Sequence, residues 1–124
     1  MDDAFRPHGG FVSGDEAAQR LRCRSDQPLS LIARWIVSHS VINVTWRGEA
    51  LMPVFQFDLV DMSIRPSCAR VIRELARVYD NWELASWFAA PNAWLAHATP
   101  VARIAHDEVG VLQAARADRF IARG

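Results

Sequence analysis

The sequence contains no lysine, so its 14 basic residues are all arginines, and 14 acidic residues bring the formal charge to zero. A neutral chain lacks the global basic field that drives strong nonspecific nucleic-acid binding, so DNA contacts would need a local patch. Long apolar runs are also missing, since none approaches the roughly 20 residues of a membrane span. The start, Met1-Asp2-Asp3, is acidic where a signal peptide is basic. We therefore expect a cytoplasmic protein with no membrane partner.

Cysteine and catalytic motifs are equally scarce. Cys23 and Cys68 are isolated from each other and from any Cys/His cluster, which argues against a zinc site or a disulfide framework. The chain has no Gly-rich phosphate loop and no H-E-x-x-H motif. Ser38-His39-Ser40 places hydroxyls beside a histidine, but helix neighbours point apart and do not form a triad. We predict no metal, no cofactor and no enzymatic activity.

The residues that are present favour a folded chain. Its 124 residues are half apolar and include five Trp, enough for one compact domain or for two small lobes that share a core. Residues 1–12 contain Pro7 and Gly9-Gly10 and show no periodicity, which predicts a mobile leader. We expect an α+β fold, mostly helical, with an N-terminal lobe over residues 13–58 packed on a C-terminal helical bundle over residues 65–124.

The N-terminal lobe is predicted to contain two helices and a β-hairpin. Ser13 and Glu16 form a capping box for a helix that ends at Leu21. Pro28 starts a second helix, which runs to about Ser40. Branched and aromatic residues at 41–46 and 50–57 then predict two strands joined by a turn at residues 47–49. Pro53 lacks an N–H group, so its strand should present that side to solvent or carry a bulge.

This order of elements is similar to a winged helix-turn-helix, in which the second helix enters the major groove and the hairpin touches phosphates. Arginine suits guanine edges and phosphates. The candidate DNA contacts are Arg22, Arg24, Arg34, His39 and Arg47. The alternative is that these arginines are ordinary solvated surface residues and that His39 is a helix C-terminal residue favoured by the backbone dipole.

The C-terminal lobe is predicted to be helical. After a linker at residues 58–65, Pro66 begins a helix, and a second capping box at Asp80 begins another that must end before Pro91. Two more helices should start at Thr99-Pro100 and at Asp107. Gly110 is expected to weaken the last of them.

A punctuated corner joins two of these helices, with the spacing W-x-x-x-P-N-x-x-L-x-x-x-x-P. Its members are Trp87, Pro91, Asn92, Leu95 and Pro100. Proline stops one helix and starts the next, Asn fixes the turn, and Leu plugs the corner. The motif resembles the C-terminal toxin-binding domain of the Xre/MbcA/ParS antitoxins. The resemblance departs at Ala96-His97, where the family commonly has a Gly pair, and ahead of the last helix, where it commonly has a Gly.

The resemblance implies a function and a set of contacts. It implies a homodimer that neutralises a toxin by direct binding, and the usual toxin of such antitoxins is of the RES type, which consumes NAD. The last helix and tail are generally what engages the toxin. The implied contacts are Arg116, Arg119, Phe120, Arg123 and the carboxylate of Gly124, with Trp94 exposed to the partner at the corner. The alternative for these arginines is a frayed terminus that they merely solubilise.

We therefore predict an antitoxin of a type II toxin–antitoxin pair, which also binds operator DNA to regulate its own operon. The alternative is a transcriptional regulator or orphan adaptor without a toxin partner.

Overall fold

A computed structural model describes residues 2–22 and 26–123 of the chain. Within this part the fold is α+β and mostly helical, as expected, with a three-stranded antiparallel sheet and a two-stranded hairpin. The helices are α1 (Asp2–Phe5), α2 (Gly14–Leu21), α3 (Pro28–Val37), α4 (Pro66–Leu75), α5 (Asn81–Ala89), α6 (Pro100–Arg103) and α7 (Glu108–Arg123). The strands are β1 (Phe11–Ser13), β2 (Val44–Trp46), β3 (Glu49–Pro53), β4 (Phe57–Asp58) and β5 (Ser63–Ile64). None of the described helices combines the length and apolar character needed to cross a membrane.

The helix starts follow the local signals in the sequence. The Ser13 hydroxyl accepts a hydrogen bond from the Glu16 N–H at 3.2 Å. Asp80 and Glu83 form the complete reciprocal capping box, with bonds of 2.9 and 3.0 Å. The Thr99 hydroxyl caps α6 by accepting from the Ala102 N–H at 3.3 Å. These predicted starts are confirmed because a cap needs only residues within one turn of each other.

The predicted hairpin is also present, but its second strand is shorter than expected and lies in the centre of the sheet. β2 and β3 pair antiparallel around the turn at Arg47-Gly48, and β1 pairs with the other edge of β3. Pro53 is buried at the end of β3, beyond Leu51, where the pairing with β2 stops. The β2–β3 pairing therefore loses no hydrogen bond because of Pro53. The prediction that this proline faces solvent is wrong, because the residue is buried.

The predicted mobile leader is wrong for the residues that the structure describes. Phe5 is 0% exposed and stacks on Phe55 at 5.6 Å between ring centroids. Phe11 contacts Phe5 edge-on, and the strand that begins at Phe11 joins the sheet. Full burial of the Phe5 ring stabilises this segment by about 1.5–3 kcal/mol, and the partly buried Phe11 ring packs against it. Pro7 and the two glycines turn the chain between the two rings.

The expected linker at residues 58–65 is instead a small hairpin, in which β4 pairs with β5. Its turn is held by Asp58 and Asp61. The Asp58 carboxylate accepts from the Val60 N–H at 3.0 Å, and the Asp61 carboxylate accepts from the Ser63 N–H at 2.9 Å. These bonds leave Val60 at the tip, 95% exposed.

The main core joins both halves of the chain. Ring contacts continue from Phe55 to Phe88 at 4.9 Å and from Phe88 to Trp87 at 5.1 Å. The same cluster contains Ile42 and Val44 together with buried residues of α4, α5, α6 and α7. A second cluster fills the space between α2, α3 and the sheet. The corner at Trp87 is thus supported by residues from the start of the chain.

Candidate partner-binding site

Asn92 is the centre of the corner between α5 and α6. Its backbone N–H donates to the Ala98 carbonyl at 3.0 Å, and its own carbonyl accepts from Leu95 and His97. Its side-chain oxygen accepts from the Trp94 N–H at 2.9 Å. Asn92 is buried, and Leu95 is buried beneath it in the main core. The predicted roles of Asn92 in fixing the turn and of Leu95 in plugging it are confirmed.

Ala96 and His97 both adopt the left-handed backbone conformation, with φ of 54° and 66°. Glycine is the residue that enters this region without steric cost. These are the two positions at which the resemblance expects a glycine pair. The corner therefore has the backbone that a glycine pair would favour, although Ala and His occupy it.

Asp118 of α7 fastens the corner to the last helix. Its Oδ2 accepts from the indole N–H of Trp87 at 2.7 Å and from the Asn92 side-chain amide at 3.3 Å. Its Oδ1 accepts from the indole N–H of Trp94 at 2.9 Å. Two indoles and an amide thus converge on one carboxylate. This residue was missed by the sequence reasoning, because no local pattern links positions 87 and 118.

A cleft of about 190 Å³ opens between the two indoles, with Asp118 and Pro91 in its lining. No arginine among residues 2–22 and 26–123 forms an ion pair with Asp118, so the carboxylate is balanced only by neutral donors. The Asp118 charge also acts on Tyr79. Burial is the main cause that raises the pKa of Tyr79, and the negative charges of Asp118 and Glu83 raise it further. The cleft is therefore aromatic and negatively charged.

The start of α7 is shaped by Gly110, which was expected to weaken the helix. The Asp107 carboxylate caps the helix by accepting from the Gly110 N–H at 3.0 Å. A Cβ at position 110 would clash with the carboxylate group of Asp107. Gly110 is thus the residue that allows this cap, and its helix-weakening effect is offset locally.

The far end of α7 exposes two large apolar side chains. Phe120 is 79% exposed and Ile121 is 63% exposed. Ile121 lies one turn beyond Asp118, because residues three apart share a helix face. Trp94 is 58% exposed beside this face. The sequence reasoning singled out Phe120 and Trp94 but missed Ile121, which its apolar character one turn after Asp118 could have indicated.

The arginines of α7 divide into two groups. Arg116 and Arg119 both approach the Oε1 atom of Glu74 on α4 at 3.3 Å, so these two predicted contacts are engaged within the chain. Arg119 is the less accessible, with 23% of its side chain exposed. Arg123 is exposed at the end of the helix. The remaining predicted contact, Gly124, lies outside the described residues.

The predicted DNA contacts lie on separate elements of the N-terminal half. Arg22 is exposed where α2 ends, Arg34 is exposed on α3, and Arg47 is exposed in the β2–β3 turn, 5.7 Å from the ring of Trp46. His39 is exposed and occupies the left-handed position that ends α3, with φ of 54°. Arg24 lies outside the described residues. The exposed face of α3 also carries apolar side chains, Leu29 and Val37.

The ionisable side chains of the described residues form no metal site and no activated nucleophile. In the described part of the chain no three His, Cys, Asp or Glu side chains lie together as a metal site requires. Cys68 is buried, and burial raises the pKa of its thiol to about 11, which keeps it protonated at neutral pH. Cys23 lies outside the described residues.

Comparisons with protein-family models, with curated proteins and with solved structures find no match to this chain.

Proposed function

We propose that the chain is the antitoxin of a type II toxin–antitoxin pair and that it binds its toxin, of the NAD-consuming RES type, through Trp94 and the last turn of α7. The observation that supports this most is the exposure of Ile121 on the helix face of Asp118, which fastens the corner, together with the exposure of Phe120 on the same turn of α7. Large apolar side chains on an ordered surface are typical of protein interfaces. The resemblance to the Xre/MbcA/ParS domain supplies the identity of the partner.

The backbone of the corner adds support to the resemblance. Two consecutive left-handed residues, Ala96 and His97, stand where the family commonly has two glycines. This backbone is one that a glycine pair would adopt without strain, so it is consistent with the resemblance on which the proposal rests.

The test is neutralisation by a chain that ends after Arg119. This truncation removes Phe120 and Ile121, together with the predicted contacts Arg123 and Gly124, but keeps Asp118 and the Glu74 ion pairs, so the corner should stay folded. Burial of the two side chains contributes about 1.5–3 kcal/mol each, so toxin affinity should fall by about 100-fold or more. The assay is growth rescue during co-expression with the adjacent RES-type toxin, together with titration calorimetry.

The matched control is Val60→Ser, which removes an exposed apolar side chain from the β4–β5 turn and should leave neutralisation unchanged. Full neutralisation by the truncated chain would exclude the last turn of α7 as the contact. Failure of the intact chain to bind any toxin would favour the alternative, an orphan adaptor or transcriptional regulator. A pull-down from the native host, with a single stoichiometric partner as the expected result, separates these cases.

We also propose that the N-terminal half is a winged-helix-like reader that binds the operator. The order α2, α3, β2, β3 supports this, as do the exposed guanidinium groups of Arg22, Arg34 and Arg47. A mobility shift with the DNA upstream of the gene is the measurement, and binding should weaken steeply with salt. The homodimer that the resemblance implies is measured by sedimentation equilibrium.

A further inference from the structure

The cleft between Trp87 and Trp94 has features of a cation site. Both indole N–H groups point at the Asp118 carboxylate, so the two rings are held in fixed orientations beside it. Trp94 is 58% exposed, which leaves ring surface open to a ligand. An indole face attracts cations through its quadrupole, and tryptophan does so best among the aromatic side chains.

The carboxylate has capacity left for one more donor. Oδ2 of Asp118 accepts two hydrogen bonds, whereas Oδ1 accepts one. All three donors are neutral, and no cationic side chain in the described ranges pairs with it. An additional donor that also carries positive charge would complete both the hydrogen bonding and the charge balance of this group.

We propose that this cleft receives the guanidinium group of an arginine side chain from the partner protein, stacked on the indole of Trp94 and paired with Asp118. The volume, about 190 Å³, lies below the ~300–1,000 Å³ of small-molecule pockets and suits a single side-chain head group. A planar guanidinium stacks on an aromatic face while it donates to a carboxylate, which a compact ammonium group does less well. This inference names the chemical group through which the toxin would contact the cleft. It rests on the proposed function, because that function identifies the toxin as the protein that carries the arginine.

The experiment uses the full chain and Nα-acetyl-arginine amide as the probe. The indole N–H resonances of the five tryptophans are followed by NMR at constant ionic strength. The Trp87 and Trp94 resonances should shift in a saturable way, with a dissociation constant on the order of 10 mM. The exposed Trp46 and Trp82 report nonspecific stacking and should move much less.

Two comparisons make the result specific. Nα-acetyl-citrulline amide has nearly the same shape without the charge, and it should bind at least five-fold more weakly. Asp118→Asn keeps the size of the side chain, removes its charge and replaces one of its two acceptor oxygens by an NH2 group. It should weaken arginine binding by at least five-fold while the chain remains folded by circular dichroism. Circular dichroism of this variant is measured first. If the variant has lost structure, Trp94→Phe is used in its place, with the Trp87 resonance as the readout and the same loss of binding expected.

Unmoved Trp87 and Trp94 resonances at 50 mM probe, or equal shifts with citrulline, would overturn the inference. The proposed function has a separate readout in toxin neutralisation. If the chain binds toxin but does not bind the arginine probe, the proposed guanidinium site is wrong and the proposed function stands. If the chain binds the arginine probe but no toxin, the guanidinium site stands and the proposed partner is wrong.

Discussion

Substitution of Ala96 by glycine should stabilise the protein, which is an unusual result for removal of a methyl group. Ala96 ends the short turn at Ala93–Leu95 with φ of 54° and ψ of 39°, and it is exposed. Its Cβ therefore has little packing to lose, whereas its backbone occupies a region that L-residues enter at a cost. His97, with φ of 66°, is in the same situation.

The magnitude follows from two opposing effects. The left-handed conformation costs a non-glycine residue about 1–2 kcal/mol. Glycine gains conformational freedom in the unfolded chain, which costs folding about 0.4–1 kcal/mol. The net gain for Ala96→Gly should be about 0.5–1 kcal/mol, with a similar gain for His97→Gly. The two adjacent changes together should give roughly 1–2 kcal/mol, the sum of the single gains, and a departure from that sum measures the coupling between the two neighbouring sites.

Urea unfolding at 25 °C measures these free energies, with an unchanged dependence on urea concentration as the sign of an unchanged unfolded state. The control is Ala33→Gly in the exposed interior of α3, which should destabilise the chain by about 1 kcal/mol because glycine weakens helices. Equal decreases in the free energy of unfolding for Ala33→Gly and Ala96→Gly would refute the claim that the backbone at Ala96 is strained.

Two further predictions concern the core. Gln56 is 0% exposed, and its amide accepts from the Ile42 N–H at 2.8 Å and donates to the Ile42 carbonyl at 2.9 Å. Gln56→Leu leaves both backbone groups unpaired and should cost about 2–5 kcal/mol in urea unfolding, whereas the exposed Gln113→Leu should cost almost nothing, and equal effects would contradict this reasoning. Cys68 keeps its proton in the folded chain up to a pKa of about 11 but loses it near 9.0 when unfolded, so the folded state should lose about 2–3 kcal/mol as the pH rises from 9 to 11. Part of the alkaline loss will remain in Cys68→Ala, since the pKa of Tyr79 is also raised, and an unchanged slope in this variant would contradict the role of the thiol.

The parts of the fold that the sequence predicts are those determined within a few residues. The caps at Ser13, Asp80 and Thr99 and the turn between β2 and β3 are all of this kind. The punctuated corner belongs here too, because Asn92 bonds mainly to its own loop. Local chemistry is sufficient for each of them.

The parts that escaped prediction depend on partners far away in sequence. Phe5 packs against Phe55, which lies fifty residues later in the sequence. The side chain of Gln56 accepts a hydrogen bond from the backbone of Ile42, as a neighbouring strand would, although the two residues are far apart in sequence. Asp118 reads as an ordinary charged residue on a helix until Trp87 and Trp94 are placed beside it. Such contacts come from tertiary packing, for which neither periodicity nor motif spacing gives a signal.

The continuous row of touching rings from Phe11 through Phe5, Phe55 and Phe88 to Trp87 has a practical outcome for anyone handling the protein. Expression of residues 13–58 and 65–124 as separate fragments would split this row, and each piece would present bare aromatic surface and aggregate.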